Sequence, residues 1–362
     1  MPVMKVVHLC QSADPNVGGS LTVARALVRA QRALGVEAWL VCLYSDDPAV
    51  QGVRAADYEI TCGVSRLSRW SRGLMKLRGV INRLQPDIIH HHDGLLWPRL
   101  ALLGWKGVRV THGHLGCPSG GLLSSSFWTH RLTMASTDCL IAISPWVAAS
   151  WVQTGFPESK IRQVPNGVDC DRFFPRSPEV RRQLRHALGI DADRHLLLWA
   201  GRLDRQTKGL DRLVATTQGL SAEVLLVIAG GGSDAAWLQA ELQQLPLGRR
   251  PMILGKVPDP AELFGMADSF LFTSKVEPFG LVLLEAAASG LPIFAFECIG
   301  GGRELLGELA ACVVGDTEVG ELARVINRRE THLPADLVER VRNNYSWKNV
   351  AVSTVNIYQE WL

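Results

Sequence analysis

The sequence predicts an α/β protein built from two doubly wound parallel sheets. Three observations carry this. Short aliphatic runs, each closed by glycine or a polar residue, alternate with longer helical patterns. The series starts twice, at KVVHLC (5–10) and again at HLLLWAGRL (195–203). At 362 residues the chain also exceeds one ordinary core, for which about 150–200 residues suffice.

In the first series KVVHLC is a strand, and Asn16 to Ser20 form a glycine-rich turn. Leu21–Leu34 follows as a helix with Leu21, Ala24, Leu27 and Val28 on one face. EAWLVCLY, PDIIHHH, GVRVTHG and CLIAISP read as further strands. KIRQVPNGVDCDRFFP (160–175), with a turn at Asn166-Gly167, reads as the passage between domains. The second series runs through HLLLWAGRL, EVLLVIAGGG, PMILGKV, SFLFTSK and LPIFAFE, and SWKNVAVSTVNIYQEWL (346–362) reads as a helix. Two such units in tandem are expected to bind ligand in a cleft at the carboxyl ends of their strands.

Composition narrows the function. With 47% hydrophobic and 20% charged residues this is a globular chain. No stretch reaches the roughly 18 apolar residues of a membrane span. MPVMKVVHLC enters a strand without a charged leader, which reads as cytoplasmic. Eight cysteines without a CxxC pair fit reduced thiols, not a zinc cage or disulfide framework. The net charge of +3 divides unevenly: residues 1–165 carry 17 Lys/Arg against 10 Asp/Glu, the remainder 21 against 25. Near-neutral charge, four tyrosines and no reader motif speak against nucleic acid. Residues 60–86 hold six basic side chains and no acid, with Leu67, Trp70, Leu74, Leu77, Ile81 and Leu84 at helical spacing. Two readings stay open there, a basic amphipathic helix on an anionic membrane and an ordinary outer helix whose apolar face is core.

The informative stretch is KVEPFGLVLLEAAASG (275–290), with Glu277 and Glu285 eight apart. Strand FLFTS delivers Glu277 to the lip of a sheet, and Pro278-Phe279-Gly280 turns the chain into a helix starting near Leu281. The first-turn N–H groups of such a helix lack internal partners and carry partial positive charge, so a diphosphate is held there by backbone. Glu277 is placed to grip sugar hydroxyls, and Glu285 a ribose. In AGRLDRQTKGL, Arg202 follows a buried strand and Lys208 stands at a helix start. Two fixed cations there stabilise a diphosphate leaving group and take the place of a metal.

The window resembles the E-x7-E signature of the retaining glycosyltransferases of family 4. VGGS (17–20), THGH (111–114), AISPWV (142–147), VPNGVD (164–169), IAGGG (228–232) and YSW (345–347) fall in that family's order, so the resemblance spans nearly the whole chain. It implies the GT-B fold, with an acceptor-binding Rossmann-like domain over 1–165 and a donor-binding one over 166–344. Residues 345–362 then cross back onto the first. It also implies retention of configuration by front-face displacement, with a nucleotide-diphosphate sugar as donor and a glycan or lipid-linked acceptor. Such chemistry belongs to bacterial-type cell-surface polysaccharide or glycolipid synthesis, with no cofactor and no metal expected.

Glu277, His112, Arg202 and Lys208 are the catalytic candidates, His112 because the family's matching histidine lies beside the donor sugar. Gly18, Gly19, Glu285, Phe279, Gly280, Leu281 and Gly231 are the substrate-binding candidates. The glycines bring backbone close to phosphate or nucleotide. Gly230–Ser233 and Lys256–Val257 flank the base without naming it. His90, His92, His112 and His114 could in principle gather a zinc ion, but their spacing matches no standard ligand set. His90 and His92 read as local hydrogen-bonding residues. GGGRE (300–304) has Arg303 where the family carries proline, which leaves Glu304 without a clear role. Two rivals remain, a sugar-nucleotide epimerase of similar architecture and a catalytically silent sugar-binding protein.

Overall fold

The computed structural model describes residues 3–13, 19–44, 57–64, 72–92, 96–116, 125–191, 193–329 and 333–362. Their contacts divide the chain into two compact units, residues 1–166 with 347–362, and residues 167–346.

The first unit holds seven strands: β1 (Lys5–Ser12), β2 (Glu37–Tyr44), β3 (Glu59–Val64), β4 (Ile88–His91), β5 (Val108–Gly113), β6 (Cys139–Ala142) and β7 (Ile161–Gln163). They pair in the order β3-β2-β1-β4-β5-β6-β7, every pair parallel. The order reverses beside β1, as in a doubly wound sheet. The helix Gly19–Ala33 buries Leu21, Val23, Ala24, Leu27 and Val28, the i, i+3, i+4 face its sequence marks out. Gln31 lies on that same face and is fully buried. The helix Trp347–Trp361 adds Val350, Ala351, Ile357 and Tyr358 to the same core.

The helix Leu74–Leu84 settles part of the question over 60–86. Its Leu77, Ile81 and Leu84 are buried in a second core layer with Leu9, Val41 and Ile89, so its apolar face is core. Lys76 Nζ donates to the carbonyls of Cys62 and Gly63, and Arg78 Nε to that of Ala101. Trp70 lies outside the described residues. Among the described residues no helix is long and apolar enough to cross a membrane.

The second unit holds β8 (His195–Ala200), β9 (Val224–Ala229), β10 (Met252–Gly255), β11 (Ser269–Phe272), β12 (Ile293–Phe296) and β13 (Cys312–Val314). All pairs are again parallel, in the order β10-β9-β8-β11-β12-β13. The centre reads as unbroken aliphatic runs because both sheet faces are covered by helices. The stretch 160–175 is not wholly a passage between domains: Ile161–Gln163 is an edge strand paired with β6. β3 and β13, also edge strands, have no counterpart in the sequence reading.

Candidate functional site

The second unit's candidates stand on loops at the carboxyl ends of β8, β9 and β11. The loop after β8 is laced to the one after β9, since Gly201 N–H donates to Ala229 O and Leu203 N–H to Gly231 O, both at 3.0 Å. Gly230 N–H donates to Gly255 O at 2.7 Å. Asp204 then opens a one-turn helix, its carboxylate accepting from the N–H groups of Gln206 and Thr207. That turn ends at Lys208. Gly209 follows at φ +63°, where a Cβ would lie 2.1 Å from Thr273 O, so only glycine lets the turn close on the end of β11. Thr273 Oγ1 locks the junction by donating to Lys208 O (2.7 Å) while accepting from Trp199 Nε1 (2.9 Å).

Glu277 arrives from the other side. Its N–H donates to Ile299 O and its carbonyl accepts from Gly302 N–H, each at 2.8 Å. Gly300 sits at φ +111° with room for no Cβ, since one would stand 2.4 Å from Glu277 O. The carboxylate, on a residue only 8% exposed, is met by Lys208 Nζ at 2.6 Å and by Ser274 Oγ at 3.3 Å. Two catalytic candidates 69 residues apart are therefore one half-desolvated ion pair. A buried charge needs such a partner, and a loop pinned by backbone bonds on both sides keeps it in place.

Gly280, in the left-handed region at φ +103°, starts the helix Leu281–Ala288, whose first turn has no side-chain cap. Phe279 is buried, so what it can offer a ligand is backbone. Glu285 is half-buried inside that helix. Burial raises its carboxyl to about 7, opposed by Arg172 and reinforced by Asp259. Arg202 stands apart from the Lys208–Glu277 pair: its side chain is exposed and its guanidinium lies 3.7 Å from Asp204. A Cβ at Gly231 would meet only the Lys256 side chain, at 3.6 Å. Glu304 is exposed in the first turn of the helix Gly302–Leu309.

The first unit presents a different arrangement. Gly18 lies outside the described residues, and Gly19 is the first residue of its helix. His112 is buried on β5 and belongs to a stack of five imidazoles, His8, His90, His92, His112 and His114, from three neighbouring strands and the residues just beyond. Adjacent rings lie 4.4–5.2 Å apart. Burial holds the His8 and His114 rings at about 4, and those of His90, His92 and His112 well below the usual imidazole value, so all five are neutral. At His112 the Asn166 amide works against that lowering. Neither His112 Nε2 nor Asn166 Oδ1 has a well-formed hydrogen bond among the described residues.

His8, His90 and His92, and again His92, His112 and His114, are close enough to share a metal ion. The nitrogens nevertheless pair off two by two: His8 Nδ1 with His92 Nε2 (2.9 Å), His92 Nδ1 with His114 Nε2 (3.0 Å), and His90 Nε2 with His112 Nδ1 (3.1 Å). These are hydrogen bonds between neighbouring rings whose planes differ by 19–31°. His90 and His92 are thus local hydrogen-bonding residues. Sequence reasoning missed Gln31, Tyr358 and His8, which complete the network. The signals for them were a glutamine on an apolar helix face and a histidine inside an aliphatic strand.

Comparison with known proteins adds the family context. Residues 180–344 match the family model of the glycosyl transferases group 1, and residues 17–172 that of glycosyltransferase family 4. Alpha-maltose-1-phosphate synthase of Mycolicibacterium smegmatis is 28% identical over 67% of this chain and 68% of its own length. D-inositol 3-phosphate glycosyltransferase of Xylanimonas cellulosilytica is 33% identical over 56% of this chain and 49% of its own. Among solved structures, Anabaena HepE in complex with UDP-glucose superposes with a TM-score of 0.83 at 20% identity, covering 99% of this chain and all of that one. This last likeness establishes the two-sheet GT-B fold.

Proposed function

The chain belongs to the glycosyl transferase family that those two models describe, and from that premise we propose that it moves a sugar from a nucleotide-diphosphate donor to an acceptor hydroxyl with retention of configuration. The observation that carries this reading is the half-desolvated Lys208–Glu277 pair, set beside the uncapped start of the helix Leu281–Ala288. In this reading the pyrophosphate lies on that helix start. Lys208 and Arg202 neutralise the charge that grows on the leaving phosphate, without a metal. The donor sugar's hydroxyls meet Glu277, and the ribose meets Glu285. No side chain is needed as nucleophile, because the departing phosphate oxygen takes the acceptor's proton as the new bond forms on the same face. Within the second unit Gly231 and the Phe279–Leu281 backbone approach the donor; within the first, Gly19 and His112 are the residues offered to substrate, His112 with a hydrogen bond.

The acceptor is a glycan or a lipid-linked acceptor, and the setting is surface polysaccharide or glycolipid synthesis on the cytoplasmic side. Contact with an anionic membrane through 60–86 would rest on basic side chains, since Leu77, Ile81 and Leu84 are committed to the core.

A thermal-shift screen against UDP, GDP and ADP tests the donor site. One of them at a hundred times its Kd should stabilise by about 2.7 kcal/mol. No shift with any of the three, at millimolar concentration, would remove the reading. A donor that turns over with no acceptor present, returning an isomerised sugar, would favour an epimerase.

Glu285 gives this site a pH signature. Its ionised carboxylate accepts ribose hydroxyls more strongly than the protonated acid, which keeps a single carbonyl acceptor, and with its value near 7 most of it is protonated at pH 6. Affinity for a nucleotide sugar, whose pyrophosphate does not titrate in this range, should rise about five- to tenfold from pH 6 to 8. Isothermal titration should find that rise abolished by Glu285→Gln. An equal rise in the variant would rule out this role for Glu285.

A further inference from the structure

Gln31 sets the direction of every hydrogen bond in the imidazole stack. It is fully buried, and its amide has one acceptor and one donor end. With the amide in the orientation found here its acceptor end, Oε1, lies 2.8 Å from His8 Nε2, so His8 carries its proton on Nε2. A neutral ring then has a bare Nδ1, which must accept from His92 Nε2–H, whose Nδ1 accepts from His114 Nε2–H.

The donor end, Gln31 Nε2, donates to Tyr358 Oη at 3.2 Å. Tyr358 must then direct its own proton to His90 Nδ1, within hydrogen-bond reach. His90 keeps its proton on Nε2 and donates it to His112 Nδ1 at 3.1 Å. His112 is left with a proton on Nε2, a buried atom with no well-formed partner among the described residues. Burial keeps each ring neutral, so no second proton blurs the pattern.

We propose that Gln31, Tyr358 and His90 are positioning residues that fix His112 as an Nε2–H hydrogen-bond donor to substrate and deny it the role of proton acceptor. The substrate half of this statement rests on the glycosyl-transfer reading; the tautomer half does not. The chain is assembled from distant parts of the sequence, since Gln31 comes from the helix after β1, Tyr358 from the helix Trp347–Trp361, and His90 and His112 from β4 and β5. A metal ion on these rings is the competing use of the same atoms, because it would take the lone pairs that the hydrogen bonds occupy.

The test is nitrogen NMR of the full chain with ¹⁵N-labelled histidine, each signal assigned by substitution. His90 and His112 should each show a protonated Nε2 and a bare Nδ1, unchanged from pH 6.5 to 8. Tyr358→Phe removes a single oxygen and should let His90 and His112 sample both tautomers. Its turnover should fall about tenfold, with KM for the donor within twofold, using UDP-glucose, GDP-glucose and ADP-glucose as trial donors. Gln31→Glu, read at pH 8.5, replaces the donor end with a second acceptor and should move the His112 proton to Nδ1. A wild-type His112 protonated on Nδ1, variants with unchanged tautomers, or a stoichiometric metal in the purified protein would each overturn the proposal. If the tautomers behave as stated but no donor turns over even in the wild type, the glycosyl-transfer reading fails and the network stands.

Discussion

Lys208→Ala should lower kcat/KM by about 10²–10³-fold, the range for losing one fixed charge or donor at a developing anion. It should also destabilise the protein. Glu277 would be left with Ser274 Oγ at 3.3 Å as its remaining side-chain partner, on a residue 8% exposed. Breaking a fully dry pair costs about 3–5 kcal/mol; here the two side chains keep 21% and 11% of their exposure, so about 2–3 kcal/mol is expected. The double variant Lys208→Met with Glu277→Leu separates the two effects. Removing both charges should recover most of the stability in urea melts and none of the turnover. If the single variant keeps wild-type kcat/KM, the pair is structural and the proposed donor chemistry lies elsewhere.

Acid should unfold the first unit abruptly. Six of its histidines (8, 90, 91, 92, 112 and 114) are held neutral by burial, far below the ordinary imidazole value. Between that ordinary value, about 6.5, and their lowered values the unfolded chain binds protons that the folded one refuses. Stability from these groups is therefore complete above pH 6.5 and is lost as the pH falls. Each contributes about 1.4 kcal/mol per pH unit, or about 8 kcal/mol for all six at pH 5.5, against a total stability of about 5–15 kcal/mol. The melting temperature should drop by about 20 °C between pH 7.5 and 5.5. A drop of a few degrees would mean that the folded stack takes up protons after all.

The sheets were legible where the strands are buried on both faces. KVVHLC, EVLLVIAGGG and SFLFTSK each state their own burial as short, mostly apolar runs. β3, β7 and β13 were not: IRQ and CVV are only three residues each, and the half-wet EITCGV mixes glutamate, threonine and glycine among its apolar positions. The β11 loop showed Glu277 at a lip beside a helix start, from the proline, phenylalanine and glycine that force the turn. That Lys208 would bond to it directly was not visible, since the contact depends on Gly209 closing onto Thr273 O. The histidines were visible as strand-end pairs, and alternation correctly set His90 and His92 on one side. Their governing partners were hidden, because Gln31 reaches them from the helix Gly19–Ala33 and Tyr358 only once residues 347–362 dock on the first unit.

That docking has a consequence for biosynthesis. Tyr358, fully buried on the helix Trp347–Trp361, closes the core of a unit whose seven described strands are all translated before residue 167. Emerging from the ribosome, the first half must wait unsealed while the whole of 167–346 is made, and that second half is free to fold first. Chaperone capture of the waiting sheet, and rescue of a chain lacking 347–362 by the same segment supplied as a separate peptide, are what this order of assembly leads one to expect.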